Sequence, residues 1–473
     1  MAVLGAAAAW LAVGTGFANY DTAYSLVWGN DLAHGRAPDY EVTLAPTPHP
    51  LAILGGLVVS PLGDGAETAA VIGAYAALGA VTALTYALGA LWFGWPAGAL
   101  AAAIVITREP VLSFGVRAYV DLPYLALVLA ALLAEARRPR AGAPVLVLLG
   151  LAGLLRPEAW LFAAAYVAYL AVEAGPPGAR RRLTWARGRS RRELIGLAAL
   201  AAAAPVLWAL TDLAVTGDPL HSLTGTRAGA ETLERRRGLV QVPLTGPRRI
   251  GEILREPVLL GVVLGGPLVL LFLRERVRLL LAAGLMALAA FCVLAVAGLP
   301  ILGRYLLLLA VLLAIVCGAA VFGWRLLPDR HPWRARWIAA GVIVLAALAV
   351  FTPRQVERLR DLRGALQIQR EIRNDLHALA RGRAMRAGCP PVAVPNHRPV
   401  PLLALWLDLP PRAIVSAQLE RPRAGLYVDP ATARVERNFT LDPNDPRRLT
   451  ARVPPGFERV DANSSWVLYE RCP

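Results

Sequence analysis

The sequence contains no lysine and few charged residues of any kind. Charged side chains account for 17% of its 473 residues and hydrophobic side chains for 56%, whereas a soluble globular domain has about 25% charged residues. This composition excludes an ordinary soluble protein. The lack of Lys, beside an excess of Ala, Arg, Gly and Pro, indicates a bacterial genome rich in G and C.

Several catalytic signatures are absent as well. The sequence has no HExxH, GxSxG or CxxC motif and no Gly-rich phosphate-binding loop, and its six His residues lack the spacing of metal ligands. There is also no internal repeat of the kind that transporters usually show. The lack of such a repeat counts against a multi-pass transporter or lipid flippase, which is the alternative function, and a structural assembly protein is a third.

What the sequence does contain is a series of long apolar runs. About eleven of them approach the length that crosses a hydrocarbon core about 30 Å thick. They cover residues 2–17, 67–93, 96–107, 119–134, 143–155, 158–173, 194–215, 257–273, 279–298, 304–324 and 337–352. A shorter run, residues 51–62, contains Pro61 and is expected to dip into the membrane. The predicted fold class is a polytopic α-helical membrane protein with about eleven transmembrane helices.

Two domains are expected. Residues 1–352 form a transmembrane catalytic domain with two long polar loops, 19–51 and 216–256. Residues 353–473 begin with a polar helical stretch, 355–386, and continue as short apolar runs separated by Pro residues and Asp-Pro pairs. Such alternation predicts a small C-terminal α/β domain.

The distribution of Arg predicts the orientation in the membrane. One set of alternate loops holds seventeen Arg residues, at 137–140, 180–192, 274–278 and 325–336. The short opposite loops hold Arg108, Arg117, Arg156 and Arg304. The Arg-rich set should be cytoplasmic, which places both long polar loops and the C-terminal domain outside the cytoplasm of a bacterial plasma membrane. Loop 216–256 argues against this orientation because it carries seven Arg of its own.

The C-terminal domain is bracketed by two of the four cysteines. If this domain is extracytoplasmic, a disulfide between Cys389 and Cys472 is expected, because disulfides persist in oxidising compartments. Cys292 and Cys317 lie in apolar runs and are expected to be core residues.

The first polar loop carries the first candidate site residue. Asp21 follows the first apolar run, where a carboxylate at the edge of a bilayer is costly unless it has a function. Asp21 and Tyr24 recur at helical spacing, which favours a helix lying at the interface. A solvated linker is the plain alternative. His49, in a Pro-rich run, is better explained by a turn than by a contact with an acceptor.

Further polar residues are predicted at the same membrane face. Asp121 begins a later apolar run, where a helix cap explains it as well as catalysis does. Arg117, Arg156 and Arg304 lie at the outer ends of apolar runs. Each is explained by snorkelling or, for Arg156, by pairing with Glu158. A guanidinium also matches phosphate through its planar fork of donors, so these residues predict a site that holds a lipid phosphate beside a carboxylate base.

In their order along the chain, these features resemble the GT-C membrane glycosyltransferases. The resemblance rests on an acid after the first span, a G-x2-P-x-Y string, a Pro-His-Pro-Leu string, a D-x-P pair, an R-P-E turn and a late G-R-Y-L-L-L span. It covers roughly residues 1–325. It is closest to the bacterial branch related to protein O-mannosyltransferases and aminoarabinose transferases.

The resemblance implies transfer of a sugar from a polyprenyl-phosphate donor outside the cytoplasm. The implied catalytic residues are Asp21, as general base, and Asp121, near the acceptor or a cation. The expected donor-phosphate residues are Arg304, Tyr305, Arg117 and Arg156, and the expected acceptor contacts are Tyr24 and His49. Direct attack would invert the anomeric centre.

The expected partners are a polyprenyl-phosphate-linked sugar, a glycan, lipid or protein acceptor, and membrane lipid, but not nucleic acid. No cofactor or bound metal is expected, although a divalent cation is compatible with the acids. Asp21-Thr22 stands where protein O-mannosyltransferases commonly have an acidic pair, so the acceptor class is not implied.

Two structural expectations follow from these assignments. Asp21 and Arg304 must face one extracytoplasmic cavity, because on opposite sides of the bundle they would not form an enzyme site. In addition, the low-dielectric edge of the bilayer is expected to raise the pKa of Asp21.

Overall fold

A computed structural model describes residues 1–174, 183–185, 190–441 and 452–472, and these residues are mainly helical. The first nine helices are α1 (Ala2–Val13), α2 (Tyr20–Ala33), α3 (Pro50–Val59), α4 (Ala66–Phe93), α5 (Trp95–Thr107), α6 (Glu109–Val116), α7 (Asp121–Arg137), α8 (Ala143–Gly153) and α9 (Glu158–Ala171). The others are α10 (Arg191–Thr216), α11 (His221–Thr232), α12 (Val242–Leu254), α13 (Glu256–Phe272), α14 (Arg274–Val296), α15 (Leu307–Phe322), α16 (Arg334–Arg381), α17 (Arg383–Ala387), α18 (Val400–Leu407) and α19 (Ala433–Val435). The predicted Arg cluster between 180 and 189 lies outside the described residues.

The described residues include five helical segments that are long and apolar enough to cross a membrane. They are Pro50–Phe93, Arg191–Thr216, Arg274–Val296, Gly303–Leu326 and Arg334–Arg381. Two bent pairs, α5 with α6 at 63° and α12 with α13 at 107°, bring the number to seven if each pair is one span. Three shorter apolar helices, α1, α8 and α9, add to the bundle. The predicted polytopic helical fold class is confirmed, whereas the count of eleven spans is not.

Helix α2 is not among the candidate spans, and it lies between two hydrophobic clusters. Ala23 and Val27 pack into the core of the C-terminal domain. Tyr24 and Trp28 belong to a separate cluster with residues of the membrane domain. The helix that begins the polar loop is therefore packed from both sides, and it is not a solvated linker.

The α2–α3 contact is a backbone-to-backbone approach. A Cβ atom on Gly56 would collide with the Ser25 carbonyl oxygen, and one on Gly29 would collide with the backbone of Gly56 and Leu57. Glycine at both positions lets the two helices meet closely.

The C-terminal domain is built on a five-stranded sheet. Two short strands, β1 (Val172–Ala174) and β2 (Leu183–Trp185), form a hairpin elsewhere in the chain, and the domain itself contains β3 (Val392–Val394), β4 (Ile414–Ser416), β5 (Gly425–Pro430), β6 (Glu458–Ala462) and β7 (Trp466–Arg471). The order is β4-β3-β5-β7-β6. Strand β3 runs parallel to β4 and β5, and β7 runs antiparallel to β5 and β6. This mixed sheet, covered by helices, is the predicted small α/β fold.

Helix α16 joins the two domains without a break. The predicted domain boundary at 352 falls inside this 48-residue helix, which continues through Pro353. Its polar half packs against the sheet, and the buried Trp466 indole donates to the Ile372 carbonyl oxygen over 2.9 Å. The structure joins Cys389 and Cys472 in a disulfide, which ties the chain end to the segment that leads from α17 into β3.

Replacing Gly56 by Ala should destabilise the protein. The added methyl group forces α2 away from α3, and overpacking of this kind costs about 1–3 kcal/mol. Gly55→Ala is the matched control, because no atom lies within 4 Å of a Cβ at that position. Thermal unfolding of the two purified variants in detergent measures the difference, and equal melting temperatures would contradict the close contact.

Candidate functional site

A cavity of about 840 Å³ lies where the membrane domain meets the C-terminal domain. Its wall is formed by the start of α2, the segment 44–49, the α6–α7 and α8–α9 junctions, helices α10 to α12, the C-terminal part of α14, the segment 299–305 before α15, and two residues of the C-terminal domain, His397 and Arg398. Apolar side chains such as Trp160, Trp208 and Leu294 line it together with Arg and carboxylate groups. The arrangement suits a ligand that has both an anionic and an apolar part.

Asp21 faces this cavity because of the way α2 begins. Asn19 caps the helix, and its side-chain oxygen accepts from the backbone N–H groups of Asp21 (2.7 Å) and Thr22 (3.1 Å). Such a cap fixes the first helical turn. Asp21 lies in that turn, and its carboxylate accepts from Arg304 over 2.9 Å.

Arg304 approaches Asp21 from the opposite end of the membrane domain sequence. It lies in a short 3₁₀ turn, Gly303–Leu306, that leads into α15. The guanidinium lies over the rings of Tyr119 and Tyr305, at 5.4 and 5.9 Å from their centroids. The side chains of Asp21 and Arg304 are 18% and 19% exposed, so both remain accessible from the cavity.

Behind this pair lies a second, more deeply buried group of charges. Asp121 begins α7 and forms an ion pair with Arg156. Arg156 also donates to Glu158 over 3.0 and 2.7 Å. One Arg304 nitrogen lies 3.8 Å from the free Asp121 oxygen. The five side chains therefore alternate in charge, from Asp21 through Arg304, Asp121 and Arg156 to Glu158.

Two oxygens and one nitrogen of this network have no hydrogen-bond partner among the described residues. They are Asp121 Oδ2, Glu158 Oε2 and Arg304 Nε. Buried polar atoms are normally satisfied. The Arg304 side chain as a whole keeps 19% exposure at the cavity wall, which leaves it accessible to an anionic ligand.

Other expected site residues differ in their placement. His49 and Tyr305 line the cavity, but Tyr24 and Arg117 do not. The Tyr24 ring is buried between Tyr20 and Trp28, so it is not placed to touch an acceptor.

The Arg117 guanidinium is used elsewhere in the structure. It donates to Ser113 over 2.9 Å and to Gln369 over 3.2 Å. Its side chain therefore points towards α16, and the expected contact with a donor phosphate is replaced by contacts within the protein.

The environment of Asp21 corrects one expectation. Burial alone would raise the pKa of its carboxyl group, but the Arg304 guanidinium, through its charge and its hydrogen bond, outweighs burial and lowers that pKa below the ordinary value. The expected rise in the pKa was therefore wrong. Burial also lowers the pKa of His49 to about 3, so its ring is neutral at physiological pH.

Several cavity residues were not identified from the sequence. Tyr20, Tyr119, Arg235, Arg249 and Arg398 all line the wall. Arg235 and Arg249 come from loop 216–256, whose excess of Arg opposed the predicted orientation and was the signal that these residues have another role. Nothing in the sequence pointed to Arg398.

Solved structures of known proteins resemble this chain in fold, whereas curated sequences do not match it. No protein-family model and no curated protein sequence matches the chain. Solved structures do match: that of ArnT from Cupriavidus metallidurans bound to undecaprenyl phosphate covers 99% of this chain and 96% of its own, with a TM-score of 0.54 and 14% identity. The chain shares the fold of ArnT. The apo structure of ArnT agrees, with a TM-score of 0.53 and 15% identity.

The likeness to ArnT agrees with the polytopic helical fold and the small C-terminal α/β domain expected from the sequence. At this level of identity the likeness extends to the fold alone. What the cavity does in this chain must be argued from its own residues.

Proposed function

We propose that this protein is a membrane glycosyltransferase that takes a sugar from a polyprenyl-phosphate donor and transfers it to an acceptor hydroxyl. The observation that carries the proposal is the contact between Asp21 and Arg304, 2.9 Å apart at the wall of one cavity. Together they supply a carboxylate base and a cation for a phosphate. The match to ArnT bound to undecaprenyl phosphate supports this donor class.

In the proposed reaction, Asp21 accepts the proton of the acceptor hydroxyl as the oxygen attacks the anomeric carbon. The bond between that carbon and the phosphate oxygen breaks, and the departing polyprenyl phosphate keeps the electron pair. Arg304 stabilises the charge that develops on this leaving group. A single displacement of this kind inverts the anomeric centre, and it requires no resident cofactor.

Donor binding would also activate the base. Without substrate, Arg304 is paired with Asp21. A donor phosphate competes for the guanidinium and brings a negative charge close to the carboxylate, and both effects raise the pKa of Asp21. The carboxylate thus becomes a stronger base only when the donor is in place.

Tyr305 and Arg156 would support the donor site indirectly. The Arg156 guanidinium lies 4.3 Å from the Tyr305 ring centroid and is held by Asp121 and Glu158. Since both its carboxylate partners are buried, Arg156 is better suited to balance charge behind Arg304 than to leave its partners for a phosphate. Asp121 would then hold Arg304 in place instead of reacting with the acceptor.

Asp21→Asn should lower the rate of transfer by about 10²–10⁴-fold but keep donor binding. A general base typically contributes about 10²–10⁴-fold to the rate, whereas the amide retains the size of the side chain. Membranes containing each variant and a radiolabelled polyprenyl-phospho-sugar measure transfer, and binding of undecaprenyl phosphate to purified protein measures the donor site. Arg304→Gln should weaken both.

Glu41→Gln is the control for these measurements. Glu41 lies in the same loop, but it is exposed and does not line the cavity, so its variant should match the wild type. Equal transfer by Asp21→Asn and wild-type protein would remove Asp21 as the base.

The dependence of the rate on pH should reveal the Asp21–Arg304 contact. For the wild type, the acid limb of kcat/KM for the donor, which reports the free enzyme, should lie below the ordinary Asp value of about 3.9. The limb of kcat, which reports the donor complex, should lie at higher pH. In Arg304→Gln the largest opposition to burial is removed, so the acid limb of kcat/KM should move to higher pH. Acid limbs of kcat/KM that lie at the same pH in the wild type and in Arg304→Gln would contradict this account.

We also propose that the cavity and the C-terminal domain lie outside the cytoplasm. The Arg distribution supports this orientation, and the Cys389–Cys472 disulfide requires an oxidising compartment. Alkaline phosphatase fused to the C-terminus should be active and a fused green fluorescent protein dark. Fusions that end after Arg140, in an Arg-rich loop, should show the reverse. A fluorescent C-terminal fusion would overturn the orientation.

A further inference from the structure

Three side chains of helix α16 contact the two loops that directly precede the acid-bearing helices α2 and α7. They are Gln369, Arg370 and Arg373, which lie in the polar half of this helix, beyond the membrane-crossing part. None of them lines the cavity. Their contacts show how the C-terminal part of the chain acts on the site without touching a substrate.

The first loop, residues 14–19, is held by an ion pair. Arg373 pairs with Glu67 of α4, and the same Glu67 oxygen accepts from the backbone N–H of Ala18 over 2.9 Å. The Arg373 guanidinium lies 4.9 Å from the centroid of the Phe17 ring. Arg370 adds a hydrogen bond of 2.8 Å to the Thr15 hydroxyl. The segment immediately before the cap of α2 is therefore fixed from α16.

This loop is joined to the second loop, residues 117–120. The backbone N–H and the side-chain amide of Asn19 both donate to the Arg117 carbonyl oxygen over 2.9 Å. The Thr22 hydroxyl donates to the Ala118 carbonyl oxygen over 2.6 Å. Because Asn19 caps the helix that carries Asp21, and Asp121 follows the second loop directly, the two acids are placed relative to one another by these bonds.

Helix α16 contacts the second loop as well. The Arg117 guanidinium donates to the Gln369 side-chain oxygen over 3.2 Å, and the Gln369 amide donates to the Asn438 carbonyl oxygen over 3.0 Å. One face of a single helix thus holds the loops 14–19 and 117–120 and also contacts the C-terminal domain.

The Glu67–Arg373 pair differs from its neighbour on the same helix. The side chains of Arg373 and Glu67 are 8% and 20% exposed. Those of Arg381 and Asp64, which join α16 to the turn before α4, are 41% and 57% exposed. Breaking a buried ion pair leaves an unpaired charge and is costly. Breaking an exposed pair costs little.

We propose that Glu67 and Arg373 are positioning residues for the transfer reaction. From outside the cavity they fix the Thr15–Asn19 segment, and with it the approach of Asp21 to Arg304 and Asp121. This inference rests on the proposed glycosyltransferase function, but its structural part has a measurement of its own.

The test compares Glu67→Gln, Arg373→Gln and Arg373→Lys with the matched control Arg381→Gln. Misplacement of a reacting group by about 1 Å can cost about 10²-fold in rate. In Glu67→Gln and Arg373→Gln, kcat per folded molecule should therefore fall by about 10–10²-fold, with the donor KM nearly unchanged. Arg373→Lys should keep part of the kcat that Arg373→Gln loses. The double variant Glu67→Gln with Arg373→Gln should lose no more kcat than either single variant.

Hydrogen–deuterium exchange supplies a readout that does not need activity. Peptides covering residues 15–24 and 116–122 should exchange faster in Glu67→Gln and Arg373→Gln, and at the wild-type rate in Arg381→Gln. If Arg373→Gln does not fold, the test rests on Glu67→Gln and Arg373→Lys. These two variants are milder, because Glu67→Gln keeps an oxygen for the Ala18 N–H and Arg373→Lys keeps the positive charge.

The outcomes separate the two proposals. Unchanged exchange in these peptides, unchanged kcat per folded molecule, or an equal loss in Arg381→Gln would each overturn the positioning role. A wild-type protein that transfers no sugar from any polyprenyl-phosphate donor would overturn the proposed function, and the exchange data would still decide whether the ion pair holds the loops.

Discussion

Charge pairing at the edge of the membrane domain is the constraint on which the rest of the site depends. Removing an unpaired charge from water costs several kcal/mol, so carboxylates and guanidinium groups in this region persist only in contact with one another. The alternation from Asp21 through Arg304, Asp121 and Arg156 to Glu158 meets that requirement. Of these five side chains, those of Asp21 and Arg304 are the most exposed, at 18% and 19%, and a ligand can act there.

Precise placement of that end comes from packing on both sides of α2. The membrane domain supplies Arg304, and the C-terminal domain covers Ala23 and Val27. The C-terminal domain is thus part of the structure that builds the site, and His397 and Arg398 extend its wall. The site is thus assembled from two domains, around a cavity of about 840 Å³.

Much of the fold was predictable because local signals decide it. Long apolar runs fold as helices in a bilayer, since the backbone must satisfy its hydrogen bonds internally. The short apolar runs of the C-terminal domain, at 392–394, 413–416, 425–428 and 466–469, overlap strands β3, β4, β5 and β7, because strands of a covered sheet bury apolar side chains. Strand β6 was missed because its burial is low along most of its length, so its sequence lacks a strong apolar pattern. The number of spans was not predictable, because short and bent helices cross or re-enter according to their neighbours.

The sequence by itself determined which residues are exceptional: an acid after the first apolar run, a second before a later run, and an Arg at the start of the apolar run 304–324. Their proximity was decided only by the tertiary structure, because Asp21 and Arg304 are 283 positions apart and no local pattern encodes such a contact. The same holds for Arg117, whose guanidinium contacts Gln369 of α16, 252 positions away in the sequence. Side-chain direction depends on which partner the fold supplies, and that partner is not visible in the local sequence.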